Sequence, residues 1–386
     1  MWETLIVGAG LAGLSTAYHL ALRGVKKVCL VEGDRAAGLH ASGKNAGMIR
    51  QTVSDPVLAR LAREGAKALK EKSKGKGAWR GMYSAAGSIL TAGSDRFAEL
   101  ESISKAAREE GIVTRFLSRE RAAARVPLLA EARFERALHC PSDGLVDIRA
   151  LLRGFLEQLA KRRIKIFFGR PLRGLSREKD GSFCVRAGNG RFRAANVVNA
   201  AGAWAGEVAR NAGGTPVPLL AYRRHLYHAV RPEVFDGGRP FVWDLSHEFY
   251  FRPLKDALLL SPCDKDLFEL SGRRARRAEE TDRKIDRIFF GKARNFFGES
   301  SWKLKILKKE AALRTMTPDG RFVIGEDPEC RGFFWAAGLG GHGVTTCFSA
   351  GRMAAEAVLG RPSDDRLATA LSPSRFRRKE AHAAAR

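Results

Sequence analysis

The opening segment constrains the fold more than any other feature. Residues 3–8 (ETLIVG) read as a short buried strand, and residues 11–23 take up the apolar spacing of a helix. Between them Gly8, Gly10 and Gly13 form a G-x-G-x-x-G turn, and a second strand follows over residues 27–32. In such a β-turn-α-β unit Gly8 permits the tight turn, Gly10 lets backbone approach a pyrophosphate, and Gly13 lets helix and strand pack closely. Glu32 stands 24 residues after Gly8, at the end of the second strand, where a carboxylate accepts hydrogen bonds from ribose hydroxyls. The unit predicts dinucleotide binding, with the phosphates at the helix N-terminus.

The first motif does not by itself separate FAD from a nicotinamide cofactor, and a second glycine-rich turn favours FAD. In FFWAAGLGGHGVTTCFSAG, Gly338, Gly340, Gly341 and Gly343 lie between a strand over residues 332–337 and a helix over residues 345–359. Amides at such a helix N-terminus would stabilise negative charge at one edge of a reduced flavin, which points to FAD.

With 386 residues, 45% of them hydrophobic, the chain can bury a sizeable core and is expected to divide into two domains. No apolar run approaches the roughly 20 residues of a membrane span, so a cytoplasmic enzyme is expected. Cys29, Cys140, Cys184, Cys263, Cys330 and Cys347 lie far apart with no C-x-x-C pair and no His cluster, which predicts reduced packing thiols and no metal site. The net charge of +26 is spread along the chain, with concentrations at residues 70–76, 273–277, 303–309 and 375–379. Such a surface allows peripheral contact with the inner face of an anionic membrane, whereas the lack of an aromatic-interleaved RNA module argues against nucleic acid.

Further along, residues 36–47 form a Gly- and Ala-rich loop too long for a simple connection. Helices are expected over 55–72 and 95–111, and strands over 87–92 and within 164–198. Between 221 and 260, RRHLYHAV, PFVWDL, EFYFRP and ALLLS read as an antiparallel sheet, and residues 273–297 as a basic helix. The expected fold class is α/β, a Rossmann-like FAD-binding domain (1–75, 142–215 and 306–365) with a second, substrate domain containing the antiparallel sheet (76–141 and 216–305). Residues 366–386 form a basic tail.

The N-terminal fingerprint, ASGKNAGMIR, VVNAAGAWA and TPDGRFVIGEDPECRGFFWAAGLGGHGVTT together resemble the D-amino-acid oxidase superfamily of FAD enzymes. Several segments, among them DGLVDIRALLRGFL and EFYFRPLKDALLLSP, look most like the D-arginine dehydrogenase and glycine oxidase-like members. The resemblance is weakest over residues 75–141 and 265–305. It implies that Gly8, Ala9, Gly10, Gly13 and Glu32 hold the adenosine and pyrophosphate. Ser42, Gly43, Lys44, Asn45, Ala46 and Gly47 would form a loop beside the flavin, Ala200, Ala201, Gly202 and Trp204 a second contact, and residues 338–345, with His342, Val344 and Thr345, the turn over the flavin's edge. It also implies that Arg314 grips a substrate carboxylate with help from Tyr250, leaving His342, Arg50 and His225 as further candidates for substrate reading or proton transfer.

Two departures bear on specificity. Sarcosine oxidases of the superfamily attach flavin through a cysteine where this chain has Ala312, so dissociable, non-covalent FAD is expected. They also bind carboxylate through a lysine where this chain has Thr345, although Arg50 resembles their arginine after the flavin loop. The implied reaction takes a hydride from the α-carbon of a small carboxylate-bearing amine, a D-amino acid or related amino acid, giving an imine and then a 2-oxo acid, with oxygen or a quinone-type acceptor reoxidising the flavin. Oxidation of a 2-hydroxy acid and modification of tRNA by an FAD enzyme are the alternatives.

Overall fold

The computed structural model describes residues 1–230, 238–270, 277–298 and 304–377. The basic residues at 273–276, at 303 and from 378 onward lie outside them.

Five strands run parallel in the order Phe333–Ala337, Gly190–Asn199, Trp2–Val7, Val28–Val31 and Lys165–Phe167. Leu172–Arg177, Phe183–Ala187 and Val323–Glu326 extend them antiparallel into an eight-stranded sheet. The parallel strands are short and apolar because helices cover the sheet: Leu11–Leu22, Pro56–Ser73, Ile148–Lys161 and Cys347–Val358 contribute to one apolar core, and Ala205–Ala212 to another. Leu11–Leu22 and Cys347–Val358 touch closely, since a Cβ on Gly351 would sit 2.3 Å from the Ser15 hydroxyl.

A nine-stranded sheet lies beside it. Its path runs Asp266–Leu267, Leu220–Val230, Ala257–Ser261, Phe249–Pro253, Phe241–Asp244, Ser88–Ala92, Arg136–Cys140 and Arg115–Leu117, with Ile306–Met316 along the other side of Leu220–Val230. The four strands expected between 221 and 260 are all present. Side chains alternate across this sheet. Phe249 and Phe251 join a core with Phe289, Phe296 and Phe297 of helix Arg283–Phe297, whereas Tyr250 joins Leu226, Leu259, Cys263 and Ala46.

The basic helix expected from 273 begins at Arg283, where the Asp282 side chain caps it by accepting from the Lys284 amide. Ile306–Met316, unforeseen as a strand, belongs to the nine-stranded sheet although 306 was expected to open a cofactor-side segment. Its lysines are exposed at one end, while Ala311, Ala312 and Leu313 are buried. All six cysteines are free and buried.

Asp143 ties the segments around residue 50 to this frame. It is wholly buried and accepts from the Gln51 amide at 2.8 Å, Ser88 Oγ at 2.6 Å and Thr52 Oγ1 at 3.3 Å. Asp143→Ala orphans all these donors and is expected to cost about 3 kcal/mol; urea unfolding of the two proteins side by side checks it, and a loss below about 1 kcal/mol would show that the network is dispensable.

Candidate active site

The turns named by the glycine motifs all leave the parallel sheet at the carboxyl ends of strands: 8–13 after Trp2–Val7, 200–204 after Gly190–Asn199, and 338–345 after Phe333–Ala337. This is where an open α/β sheet leaves a crevice. A cavity of about 570 Å³ fills it, lined by Gly8, Gly10, Glu32, Ser42, Asn45, Ala200, Ala201, Gly202, Trp204, Gly338, Gly340, Gly341, Gly343 and Val344. No described residue from 76–141 lines it.

The glycine turn has little room to spare. A Cβ on Gly13 would fall 2.0 Å from the Gly8 carbonyl oxygen, one on Gly8 2.5 Å from that of Ala200, and one on Gly10 2.9 Å from Ser42 Oγ. The Leu11 amide, at the start of helix Leu11–Leu22, donates to Ser42 Oγ at 2.9 Å. Glu32 accepts from the Ala9 amide at 2.6 Å and the Asp34 amide at 3.0 Å, and Ala9 is fully buried behind the turn.

In the loop over 36–47, Asn45 fixes the path: its amide donates to the Ser42 and Ala41 carbonyls, and its Oδ1 accepts from the Gly47 amide at 2.8 Å. The Gly43 amide donates to the His40 carbonyl, and Gly47 has φ +60, as Gly338 and Gly340 have +69 and +55. Lys44 turns to Glu279, to which His40 also bonds, and the His40 ring lies 4.7 Å from that of Trp204. Ala46 packs below Tyr250 and Leu226.

The cavity reaches the nine-stranded sheet at Leu313, Arg314 and Thr315. Arg314 Nη2 donates to the Lys44 carbonyl at 3.2 Å, while Nη1 is buried with no acceptor among the described residues. Burial lowers the Arg314 pKa, the neighbouring Tyr250 opposing the shift. Tyr250 is buried, stacked on Trp243 at 4.7 Å, and its phenol is pushed up to about 12 by burial and then by Cys263. Arg50 lays its guanidinium 4.0 Å from the Trp243 ring centre, and burial lowers its pKa too. Thr345 holds the backbone there, accepting from the Arg50 amide at 3.1 Å.

His342 sits in its turn with its amide donating to the Leu339 carbonyl. Burial, then the charges of Arg50 and Arg224, bring its pKa down to about 3. His225, by contrast, is spent structurally. Its Nδ1 faces Asp264 Oδ2 at 2.7 Å, and its Nε2 accepts from the Asp282 amide at 3.0 Å. It points to the opposite face of strand Leu220–Val230 from Arg224, the residue that sequence reading passed over.

These groups describe an amide-lined channel for a dinucleotide that reaches the nine-stranded sheet at Arg314. The pattern of the FAD dependent oxidoreductase (DAO) family matches residues 3–357, and the chain belongs to that family. That family is one of FAD-dependent oxidoreductases. It is 27% identical over 385 residues to mitochondrial sarcosine dehydrogenase of Homo sapiens, covering 94% of this chain and 40% of that protein. It is 26% identical over 371 residues to the mitochondrial pyruvate dehydrogenase phosphatase regulatory subunit of Mus musculus, covering 94% and 42%. The chain thus spans about two fifths of these relatives. Among solved structures, L-proline dehydrogenase from P. horikoshii shares the fold with a TM-score of 0.86 at 21% identity, covering 98% of each chain.

The environment of His342 makes a direct prediction. Because its pKa falls well below the ordinary 6.5, the ring is neutral from pH 8 to pH 5 and protonates only near pH 3. Its imidazole NMR signals are expected to stay flat across that range; a midpoint near 6.5 contradicts the placement.

Proposed function

We propose that this chain oxidises a small amine bearing a carboxylate, a D-amino acid or related amino acid, by removing hydride from the carbon between the two groups. The observation that carries the reading is Arg314: a half-buried guanidinium lining the dinucleotide channel, whose Nη1 is shut off from solvent with no acceptor among the described residues. A charged donor left this way is costly unless a ligand completes it. The names of the relatives agree in kind, since sarcosine and L-proline both carry nitrogen one carbon from a carboxylate.

The residues fit FAD. Gly8, Gly10 and Gly13 with the Leu11 amide would take the pyrophosphate, Glu32 the ribose, and the turn at 338–345 the flavin's edge. Ala312 offers no sulfur for a covalent link, and FAD is held non-covalently. When bound, FAD supplies the hydride acceptor.

The protein's own part is binding and orientation. Arg314 forks onto the carboxylate, and Tyr250, whose phenol keeps its proton through the neutral range, donates a hydrogen bond beside it. Neutral His342 adds no positive charge against a substrate ammonium, which must lose its proton before hydride can leave. The imine so formed takes up water outside the protein's machinery and falls to a 2-oxo acid and ammonia.

Arg314→Met is expected to lower kcat/KM by about two to three orders of magnitude, chiefly through KM. Steady-state kinetics with an ammonia assay tests both parts. Turnover with 2-hydroxy acids and not with primary or N-substituted amino acids moves the assignment to a 2-hydroxy acid, and unchanged kcat/KM removes Arg314 from the site. Glu32→Ala is expected to weaken FAD about tenfold or more, read by flavin fluorescence on dilution; retention equal to the parent protein contradicts the assignment.

A further inference from the structure

Arg224 lies opposite Ala312 in the pairing of strands Leu220–Val230 and Ile306–Met316, and Arg314 lies opposite Tyr222. The two arginines are therefore diagonal neighbours on one face of the sheet, with backbones about 7–8 Å apart. Arg50 joins them from the other side, its guanidinium seated on Trp243, whose own strand partner is Tyr250. The three guanidinium groups share one environment, since the charge of Arg224 acts on Arg50, Arg314, Tyr250 and His342 alike.

Like charges this close repel, and the cluster holds no carboxylate of its own among the described residues. The acidic groups whose charges reach it are engaged elsewhere: Asp143 with Gln51, Thr52 and Ser88, Asp264 with His225, Glu279 with His40 and Lys44, and Glu99 with Arg96. The half-buried Arg224 side chain makes no hydrogen bond or ion pair to any described residue, and its Nε is shut off from solvent without a partner. One substrate carboxylate on Arg314 would leave Arg224 and Arg50 uncompensated.

We propose that the substrate is an amine carrying two carboxylates, one taken by Arg314 beside the reacting carbon and the second by Arg224 with Arg50 behind it. The inference rests on the function proposed above and narrows its substrate class. Planar guanidinium forks match carboxylate oxygens in pairs, so the second site sets specificity by geometry as well as charge. A monocarboxylic amino acid filling the same space would bury Arg224 against an apolar side chain, which the site disfavours.

The test uses ligands that cannot be oxidised, titrated into the FAD-loaded protein at fixed ionic strength and read by the shift of the flavin's visible bands. Malonate, succinate and glutarate are compared with acetate, propionate and butyrate, and with inorganic phosphate. The expected result is that the best dicarboxylate binds at least about tenfold more tightly than the monocarboxylate of equal chain length. Arg224→Met is expected to abolish that preference, Arg224→Lys to keep part of it, and Arg314→Met to weaken both classes. Equal affinity for the two classes overturns the inference while leaving the amine reading in place, as does a preference that survives Arg224→Met or phosphate binding above every carboxylate. If no carboxylate binds, the amine reading fails and this inference with it. Should Arg224→Met not fold, the ratio measured on the parent protein decides alone.

Discussion

At Gly13 the helix backbone lies so near the turn that a side chain would begin 2.0 Å from the carbonyl oxygen of Gly8. Gly8 in turn presses on Ala200, with φ +104 and 2.5 Å between its notional Cβ and the Ala200 oxygen. These contacts seat the first helix directly over the first strand and bring the carboxyl end of strand Gly190–Asn199 against the turn. The rest of the channel follows from them. Strand Phe333–Ala337 pairs on the far side of Gly190–Asn199, so its own glycine turn opens onto the same crevice, while Glu32 arrives from the neighbouring strand on the other side. Three turns distant in sequence therefore face one space because parallel strands end at one edge.

The nine-stranded sheet closes that space with chemistry rather than with bulk. Period-two alternation sends Phe249 and Phe251 toward helix Arg283–Phe297 and Tyr250 toward Leu226 and Ala46; the same alternation sends His225 to Asp264 and Arg224 to the face that carries Arg314. Arg50, Arg224 and Arg314 are each half-buried, and taking guanidinium groups even partly out of water is unfavourable unless an anion completes them. Aromatic support from Trp243 and Tyr250 fixes Arg50 from below.

Much of this was legible in the sequence because it is local. The glycine triplet, Glu32 and the strand before the second glycine turn are read from neighbours a few residues apart, and the run of alternating aromatics from 221 to 260 locates four strands. Strand Ile306–Met316 was hidden by the KLKILKKE run, of which Lys305, Lys308 and Lys309 are exposed and mask the Ala-Ala-Leu that packs inside. Arg224 was missed for a different reason. Its neighbour His225 carries the more obvious chemistry, and only the register with a strand almost a hundred residues away shows which of the two shares a face with Arg314. Long-range pairing leaves no mark in a single sequence, and so the cluster of three arginines had no signal beyond their separate positions.

The measurement that bears most directly on the account is the visible spectrum of the FAD-loaded protein mixed without oxygen with amino acids, N-substituted amino acids and 2-hydroxy acids in separate pools. The account predicts a bound flavin whose absorption near 450 nm bleaches with an amine pool and not with the hydroxy acids. A protein that takes up no flavin on reconstitution, or a bound flavin bleached by hydroxy acids alone, would contradict it.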